Sequence, residues 1–200
     1  MSVRIITMTP DAEWLIEYAA RACYDSTMLN VDDEEGRRRF VRNLIEKGHE
    51  SVLEHASATF EICCSRVASH QLVRHRLASY SQESQRYVKQ FGEEIYAPAS
   101  VLVDDHWRNE FDEIFYKCYD AYHDMVDKGI PKEDARYILP SAMPTKIIMT
   151  ANFREWRHII KVRTSDHAQK EIRDIAKDIC SLLKEYAPSV FGDLYHAVEE

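Results

Sequence analysis

The spacing of the apolar residues is the feature that most constrains the fold of this chain, because most of it follows a helical period. Only three segments have the composition or alternation of strands, at residues 3–8, 56–63 and 143–151. They do not alternate regularly with helices, and no Gly-x-Gly-x-x-Gly or Walker loop occurs. Rossmann and P-loop folds therefore lack their motifs here. The pattern predicts an α/β fold of the α+β type, in a single domain spanning residues 1–200.

Seven segments carry helix signals, and capping residues mark several of their ends. Pro10 stands where it can open the first helix, while Gly48 and Gly129 stand where glycine can end later ones. Asn152 can cap another helix, with Glu155 three residues on in the register of a capping box. Residues 86–97 are predicted to be extended. The predicted helices cover residues 10–24, 33–47, 65–74, 104–128, 131–136, 152–163 and 168–186.

Two of these helices have a clear apolar side. The last one places isoleucines and a leucine at core spacing, at Ile172, Ile175, Ile179 and Leu183. The helix at 104–128 carries a stripe of aromatic residues, which we interpret as packing, with stacking against a cofactor as the alternative. The stripe consists of Trp107, Phe111, Phe115, Tyr119 and Tyr122.

The run from Arg74 to Tyr87 is the strongest functional signal. Residues 66–88 contain four arginines and one acid, a local charge of 4 − 1 = +3, in a chain whose net charge is −8. Arginine forms forked hydrogen bonds with phosphate or carboxylate, and the serines and glutamines of the run add neutral donors and acceptors. We expect the end of a helix followed by a loop that binds a small anion, with a solvated basic turn as the alternative.

Composition excludes several other classes of protein. The acidic balance and the lack of a wider basic stripe argue against a nucleic-acid-binding module. The chain has no run long and apolar enough for a signal peptide or a membrane span, so we expect a cytoplasmic protein with no membrane partner.

The cysteines are odd in number and lack Cys-x-x-Cys spacing, which indicates a reducing compartment and thiols in the core. A metal site could in principle combine His49, His55, Cys63, Cys64 and His70. Their spacing matches no regular zinc pattern, and adjacent cysteines on a strand point to opposite faces. We therefore predict no metal site. The cysteines are at positions 23, 63, 64, 118 and 180.

Arg163 stands at an unusual place in the helix predicted at 152–163. It follows Trp156 and Ile160 on the apolar face, so its guanidinium is expected to point inward. An inward cation needs a partner, because an unpaired buried charge is costly. That partner is either a carboxylate of this chain or a ligand. Arg154 and His158 lie four residues apart on another face, so the helix can serve two ligands.

Five ordered segments together resemble flavin-dependent thymidylate synthases. Arg74-His75-Arg76, seven further residues, Ser84 and then Arg86-Tyr87 are similar to the signature of that family. The remaining segments follow in the order and at the approximate spacing of the family, so the resemblance covers most of the chain. They lie at residues 49–55, 133–140, 152–154 and 163–169.

The resemblance implies a fold, an assembly and a reaction. The fold is an α/β structure with a central, largely antiparallel sheet, and the assembly is a homotetramer with FAD between subunits. The reaction methylates dUMP to dTMP, with methylenetetrahydrofolate as one-carbon donor and NADPH as the reductant of the flavin. It needs no cysteine nucleophile, because the flavin performs the redox chemistry.

The resemblance also implies roles for individual residues. Arg86 and Arg136 would hold the phosphate, and Arg163, the implied catalytic residue, would favour the N3-ionised uracil. For Glu54 an ion pair with an arginine is an open alternative, and for His75 a structural hydrogen bond. The implied substrate-binding residues are Gln71, Arg74, Gln82, Glu83, Ser84, Gln85, Arg86, Arg136 and Arg163. The implied cofactor-binding residues are Ser51, Glu54, Arg74, His75, Arg76, Asn152, Arg154 and His158.

The chain departs from the family pattern at three places. In the family, one residue often separates an Asn-Glu pair from the signature serine. In this chain the sequence is Ser81-Gln82-Glu83, so the acid directly precedes Ser84. Either Gln82 or Glu83 could therefore make the nucleotide contact. Gln85 stands where glycine is frequent, and His158 stands where asparagine is frequent. The rival functions are another phosphate-dependent enzyme and a nucleic-acid-binding module.

Overall fold

The structure is a computed structural model that describes residues 1–23, 25, 26, 33–90 and 95–199. Within these residues four strands form one antiparallel sheet in the order β1-β2-β4-β3. The predicted α+β class with a largely antiparallel sheet is therefore confirmed. The strands are β1 (Ser2–Met8), β2 (Ser57–Ser65), β3 (Ala78–Gln82) and β4 (Pro144–Asn152).

Strand β3 corrects the sequence interpretation. It lies inside the arginine-rich run, where a loop was predicted, and it forms an edge of the sheet. Its residues Ala78, Ser79, Tyr80, Ser81 and Gln82 are mostly small or polar, so they give no alternation of apolar and polar residues for sequence reasoning to detect. An edge strand also pairs on one side only, which makes such a composition tolerable.

The two inner strands show the expected alternation. In β2 the side chains of Ala58, Phe60, Ile62 and Cys64 are buried, and the residues between them are partly exposed. Cys63 therefore lies on the opposite face from Cys64, as its position in a strand predicts. Alternate residues of β2 and β4 form a buried apolar face. This face fixes the register of the two strands, because a slip by one residue would expose all of these apolar side chains.

The helices match most of the predicted segments, with differences at their ends. The first begins later than predicted, because Asp11 precedes it in the left-handed conformation (φ 46°) and Pro10 stays outside. The glycines Gly48 and Gly129 follow helices and have φ of 75° and 90°, as expected for C-terminal stops. The helices are α1 (Ala12–Ala22), α2 (Glu34–Glu46), α3 (Arg66–Leu72), α4 (Ala99–Leu102), α5 (Asp105–Asp127), α6 (Lys132–Ala135), α7 (Phe153–Arg163), α8 (Lys170–Tyr186) and α9 (Pro188–Glu199), with short 3₁₀ helices at Glu50–His55 and Arg136–Ile138.

Two further expectations are corrected by the structure. Helix α9 was not predicted, although Pro188 at its first position is a recognised start signal. Part of the segment predicted as extended is a turn, because the backbone N–H groups of Tyr87 and Val88 both donate to the carbonyl of Ser84. Residues 91–94 of that segment lie outside the described residues.

The chain divides into two compact units, each built from separated stretches of sequence. The first unit contains residues 1–2, 62–74 and 81–147. The second contains residues 3–61, 75–80 and 148–200. The single-domain organisation stays a prediction.

The first unit takes its core partly from α5. Phe115 and Tyr122 of the aromatic stripe are buried, and the Tyr122 hydroxyl accepts a hydrogen bond from the backbone N–H of Gln90 at 3.3 Å. Trp107, in contrast, is 59% exposed, so it does not pack in the core of this unit. Trp107 lies in the first turn of the helix, where the stripe extends beyond the buried part of the unit.

The second unit packs α7 against β2. The indole ring of Trp156 contacts Phe60 edge-on at 5.0 Å between centroids and donates to the carbonyl of Ala58 at 3.0 Å. Buried Arg157, on the same helix, forms two hydrogen bonds of 2.7 and 2.6 Å with the carboxylate of Asp193. The four predicted core positions of α8 are all buried. Helix α7 is therefore held on several sides, which fixes the side chains that it carries.

Among the described residues, no helix combines the length and the apolar character needed to cross a bilayer.

Candidate active site

The predicted site residues are divided between the two units, and each set is described by itself. Gln71, Arg74, residues 82–86 and Arg136 belong to the first unit. The second unit contains all the remaining ones: Ser51, Glu54, His75, Arg76, Asn152, Arg154, His158 and Arg163.

In the first unit, Arg86 and Arg136 meet at Glu133. The Nε and Nη2 atoms of Arg86 donate to one carboxylate oxygen of Glu133 at 3.0 and 2.8 Å. The Nε atom of Arg136 donates to the backbone carbonyl of the same residue at 3.2 Å. The hydrogen bond from Arg86 to Glu133 raises the pKa of that guanidinium above its ordinary value. The fold thus brings Arg86 to Glu133, 47 residues away in sequence, while Arg136 binds the backbone of the same residue locally.

Arg66 belongs to the same region, and sequence reasoning did not assign it a role. Its Nη2 atom donates to the carbonyl of Glu83 at 2.8 Å, whereas its buried Nε atom has no partner. Burial lowers the pKa of Arg66, Glu83 opposes that effect, and the positive charge of Arg136 adds to it. Because Arg66 and Arg136 repel each other, a bound anion would stabilise both. Its place in the first turn of α3, eight residues before Arg74, was the signal available in the sequence.

Gln82 and Glu83, the alternatives for one nucleotide contact, both have partners within the protein. The side-chain amide of Gln82 donates to the hydroxyls of Ser69 and Thr145 at 2.9 and 3.1 Å. The carboxylate of Glu83 accepts from Gln90 at 3.1 Å. The two side chains thus have separate partners, and both stay candidates.

The other predicted nucleotide residues of this unit differ in exposure. Ser84 forms the turn before Arg86, and its hydroxyl accepts from the backbone N–H of Arg86 at 3.3 Å. Gln85 is buried, Gln71 is half-buried and Arg74 is exposed. Arg74 follows α3, so it extends from the end of a helix whose start is capped by the hydroxyl of Ser65.

In the second unit, five side chains form what we call the histidine cluster: His75, Tyr80, Glu155, His158 and Arg163. The Nε atom of Arg163 donates to the Nε2 atom of His75 at 2.9 Å. The other ring nitrogen, Nδ1, lies 3.7 Å from a carboxylate oxygen of Glu155. The Tyr80 hydroxyl donates to the backbone carbonyl of His75 at 2.6 Å, and the rings of His75 and His158 are 5.9 Å apart.

The inward direction predicted for Arg163 is correct, and the structure supplies an imidazole partner for it. The expected intramolecular partner was a carboxylate, but the hydrogen bond goes to His75, 88 residues away in sequence. A guanidinium can only donate, so the Nε2 atom of His75 must carry a lone pair. The proton of the neutral ring is then on Nδ1, on the side of Glu155.

The environment of the histidine cluster favours neutral side chains. Burial, with the positive charge of Arg163 and the nearby His158, lowers the pKa of His75 to about 4. Burial raises the pKa of Tyr80 to about 12, and the Glu155 carboxylate contributes to that rise. Burial also raises the pKa of Glu155. At neutral pH His75 is therefore an uncharged acceptor for Arg163, and Tyr80 is an uncharged donor.

Glu155 was predicted only as part of a capping box, and the structure confirms half of that motif. The side chain of Asn152 accepts a hydrogen bond from the backbone N–H of Glu155 at 2.9 Å and caps α7. The Glu155 side chain is 9% exposed, and its carboxylate lies 3.7 Å from the Nδ1 atom of His75. Glu155 and Tyr80 are thus two members of the cluster that sequence reasoning did not identify as functional.

The residues predicted to bind a cofactor include one close pair. Arg154 donates to the carboxylate of Glu54 at 2.6 Å, which makes the alternative reading of Glu54 as an arginine partner correct in this structure. The hydrogen bond raises the pKa of Arg154. Both side chains are about half exposed, so a ligand could reach them. Ser51 is exposed in the 3₁₀ helix that contains Glu54.

The residues of the second unit that were predicted to bind a cofactor carry side chains that fit a flavin dinucleotide. Arg76 and Arg154 are exposed cations, which suits a diphosphate. The amide of Asn152 and the exposed imidazole of His158 supply the neutral polar groups that the edges of a ring system need.

The cysteines have different surroundings. Cys64 and Cys180 are buried, Cys63 and Cys118 are partly exposed, and Cys23 is exposed. Burial raises the pKa of Cys180 to about 11. Across residues 1–23, 25–26, 33–90 and 95–199, no group of three or more His, Cys, Asp or Glu side chains is placed to hold a metal ion.

Comparison with known proteins shows which family this chain belongs to. Residues 4–189 match the family described as "Thymidylate synthase complementing protein". The chain belongs to this family. A protein of Geobacter sulfurreducens named "Flavin-dependent thymidylate synthase" is 45% identical to it, over 96% of this chain and 86% of that protein. Proteins of the same name in Mycobacteroides abscessus and Corynebacterium efficiens are 38% and 37% identical, over 92% and 91% of this chain and 84% and 79% of their own lengths.

The family resemblance seen in the sequence is therefore confirmed, as is the expectation that the chain is an enzyme. The roles of individual residues of this enzyme stay predictions.

Proposed function

We propose that this enzyme catalyses the flavin-dependent reductive methylation of dUMP to dTMP. The observation that carries the proposal is the meeting of Arg86 and Arg136 at Glu133, in a chain that belongs to this family. A forked arginine that binds a carboxylate oxygen is also suited to bind a phosphate oxygen, because both are anionic acceptors of similar geometry. The nucleotide phosphate would compete with Glu133 for Arg86.

Charge-assisted hydrogen bonds of this kind are stronger than those between neutral groups. The neighbouring Arg66 adds positive charge to the same region, which favours a dianionic group over a neutral one. Ser84 and Gln71 would complete the binding of the nucleotide with neutral donors. We propose that either Gln82 or Glu83 makes a further contact with the nucleotide.

Arg163 is the proposed catalytic residue. Its guanidinium would stabilise negative charge at N3 of the uracil ring, which increases the electron density available at C5. The ring of His75 holds the Nε side of this guanidinium in place. The catalytic contribution of the protein is then to bind and polarise the pyrimidine, and to keep water from the reacting carbon.

Ser51, Glu54, Arg74, His75, Arg76, Asn152, Arg154 and His158 are the residues proposed to hold FAD. When bound, the flavin supplies the hydride that completes the new methyl group. We propose methylenetetrahydrofolate as the source of the carbon and NADPH as the source of the electrons. The C5 proton of the nucleotide leaves as the carbon is added, so the balanced products are dTMP, tetrahydrofolate and NADP⁺.

No cysteine of this chain is proposed as the nucleophile. A thiol must ionise to attack uracil, and the raised pKa of buried Cys180 opposes ionisation. Cys64 is fully buried in β2, where it fills the core. We also propose a cytoplasmic homotetramer with FAD at subunit interfaces.

The proposal is tested by the release of tritium from dUMP labelled at C5. Purified protein with FAD, methylenetetrahydrofolate and NADPH should release tritium and form dTMP, and should oxidise NADPH faster when dUMP is present. Reactions without the folate serve as controls and should form no dTMP. No tritium release from flavin-loaded protein with every cosubstrate present would show that the proposed function is wrong.

A further inference from the structure

Arg163, His75 and Glu155 of the second unit lie in a row, and Glu155 is the one of the three to which the proposed function gives no role. Arg163 donates to the Nε2 atom of His75 at 2.9 Å, and the Nδ1 atom of the same ring lies 3.7 Å from Glu155. Arg163 and Glu155 belong to the same helix, α7, two turns apart, while His75 comes from the segment before β3. The imidazole therefore connects two positions of one rigid helix.

The burial of Glu155 calls for a physical reason. Its exposed fraction is 7%, and a carboxylate that leaves water loses hydration unless it gains a partner. Capping does not require its side chain, because the Asn152 side chain already binds the backbone N–H at this end of α7. Its neighbour Arg157 is directed to Asp193. The Glu155 carboxylate lies 3.7 Å from the Nδ1 atom of His75, and it also interacts electrostatically with His158 and Tyr80.

The chemistry of the imidazole makes this contact directional. His75 can accept from Arg163 only while Nε2 is unprotonated, which places the ring proton on Nδ1. The Glu155 carboxylate lies 3.7 Å from Nδ1, which is longer than a hydrogen bond, but a negative charge at that distance favours the tautomer with its proton on Nδ1 and orients the ring electrostatically. The orientation of the ring then sets the direction of the Arg163 Nε–H bond, and hence the plane of the rigid guanidinium.

We infer that Glu155 is a positioning residue that orients the Arg163 guanidinium through the imidazole of His75. This inference rests on the proposed function, in which Arg163 contacts the pyrimidine. The charged and titratable groups around the ring are Glu155, Arg163 and His158, and the Tyr80 hydroxyl holds its backbone carbonyl. Since Glu155 need not touch a substrate, its replacement should affect turnover through Arg163.

Two replacements separate the role in orientation from the charge. Glu155→Leu keeps much of the volume but removes the acceptor, so the tautomer of His75 is no longer fixed. Glu155→Gln keeps an acceptor oxygen without the charge and should restore the orientation. Ile160→Val is the matched control, because Ile160 is fully buried on α7 and the loss of one methylene destabilises the helix without touching the row.

The first readout is the ¹⁵N NMR signal of the His75 ring, assigned by comparison with His75→Gln. Flavin-loaded wild-type protein, Glu155→Gln and Ile160→Val should show the Nδ1–H tautomer at neutral pH. Glu155→Leu should show a mixture of the two tautomers. This measurement needs no nucleotide, so it is independent of the proposed reaction.

The second readout is kcat/KM for dUMP together with the affinity for FAD. We expect Glu155→Leu to lower kcat/KM about tenfold or more, the range typical of carboxylates that orient a functional histidine. Glu155→Gln and Ile160→Val should remain within about threefold of wild type, and all three variants should keep FAD. Recovery of activity in the glutamine variant is the result that a merely structural role would not produce.

Different failures identify different errors. An unchanged tautomer in Glu155→Leu would overturn the inference, and so would a changed tautomer with normal kcat/KM. Equal losses of activity in Glu155→Leu and Ile160→Val would also overturn it, because loss of helix stability would then explain both. If the wild-type protein forms no dTMP, the proposed function is wrong and Glu155 positions no catalytic arginine.

Discussion

The His75 ring should make the stability of this protein depend on pH in a predictable direction. Its pKa is lowered from 6.5 to about 4 in the folded state, where it is 7% exposed. Between those values the unfolded chain binds a proton that the folded protein does not, so the free energy of unfolding rises with pH. The contribution is fully present above pH 6.5 and is lost as the pH falls towards 4.

The size of the effect follows from the shift. One pKa unit corresponds to 1.36 kcal/mol, so the change from 6.5 to about 4 corresponds to about 3 kcal/mol, which is an upper bound. In His75→Gln, the amide oxygen can still accept from Arg163, but the residue cannot bind a proton. This variant should therefore lose about 3 kcal/mol less stability than wild type when the pH is lowered from 6.5 to 4.

Denaturant unfolding at a series of pH values, with fixed protein and flavin concentrations, measures this difference. His106→Gln is the matched control, because it replaces an exposed histidine of α5 and should follow the wild-type curve. Parallel curves for wild type and His75→Gln would refute the assignment of a buried neutral imidazole.

Two further predictions test α7 and the residues that it carries. Asp193→Asn removes the half-exposed bidentate carboxylate from buried Arg157 and should lower the free energy of unfolding by about 1–3 kcal/mol in denaturant titrations. Asp174→Asn, in a surface ion pair of α8, should cost less than about 1 kcal/mol, and equal losses would contradict the prediction. Arg163→Ala should lower kcat/KM for dUMP much more than it weakens FAD binding, whereas Arg154→Ala should lose FAD first. Flavin titration and nucleotide-dependent kinetics on both variants measure these two effects. Equal loss of flavin in both variants would mean that the roles of Arg163 and Arg154 are wrongly assigned.

Local signals in the sequence predicted most of the helices and the inner strands. Asn152 caps α7 as expected, because the hydrogen bond to Glu155 joins residues three positions apart. The apolar period of α8 predicted its buried face for the same reason, since neighbours on a helix surface are three or four residues apart. Strand β3 was missed because its polar residues carry no such period, and its place at the sheet edge depends on a pairing with distant residues.

The arginine-rich run and the segments around it were sufficient to identify the family of this protein, since a motif is a property of residue order. The sequence also placed Arg163 on the inward side of its helix, because that direction follows from the helical period alone. The tertiary structure decided which groups meet that arginine and its neighbours. The partner of Arg163 is 88 residues away, and Arg86 reaches Glu133 across 47 residues. Such contacts depend on how separate elements pack, so the arrangement of Glu155, His75 and Arg163 could be seen only in the folded chain.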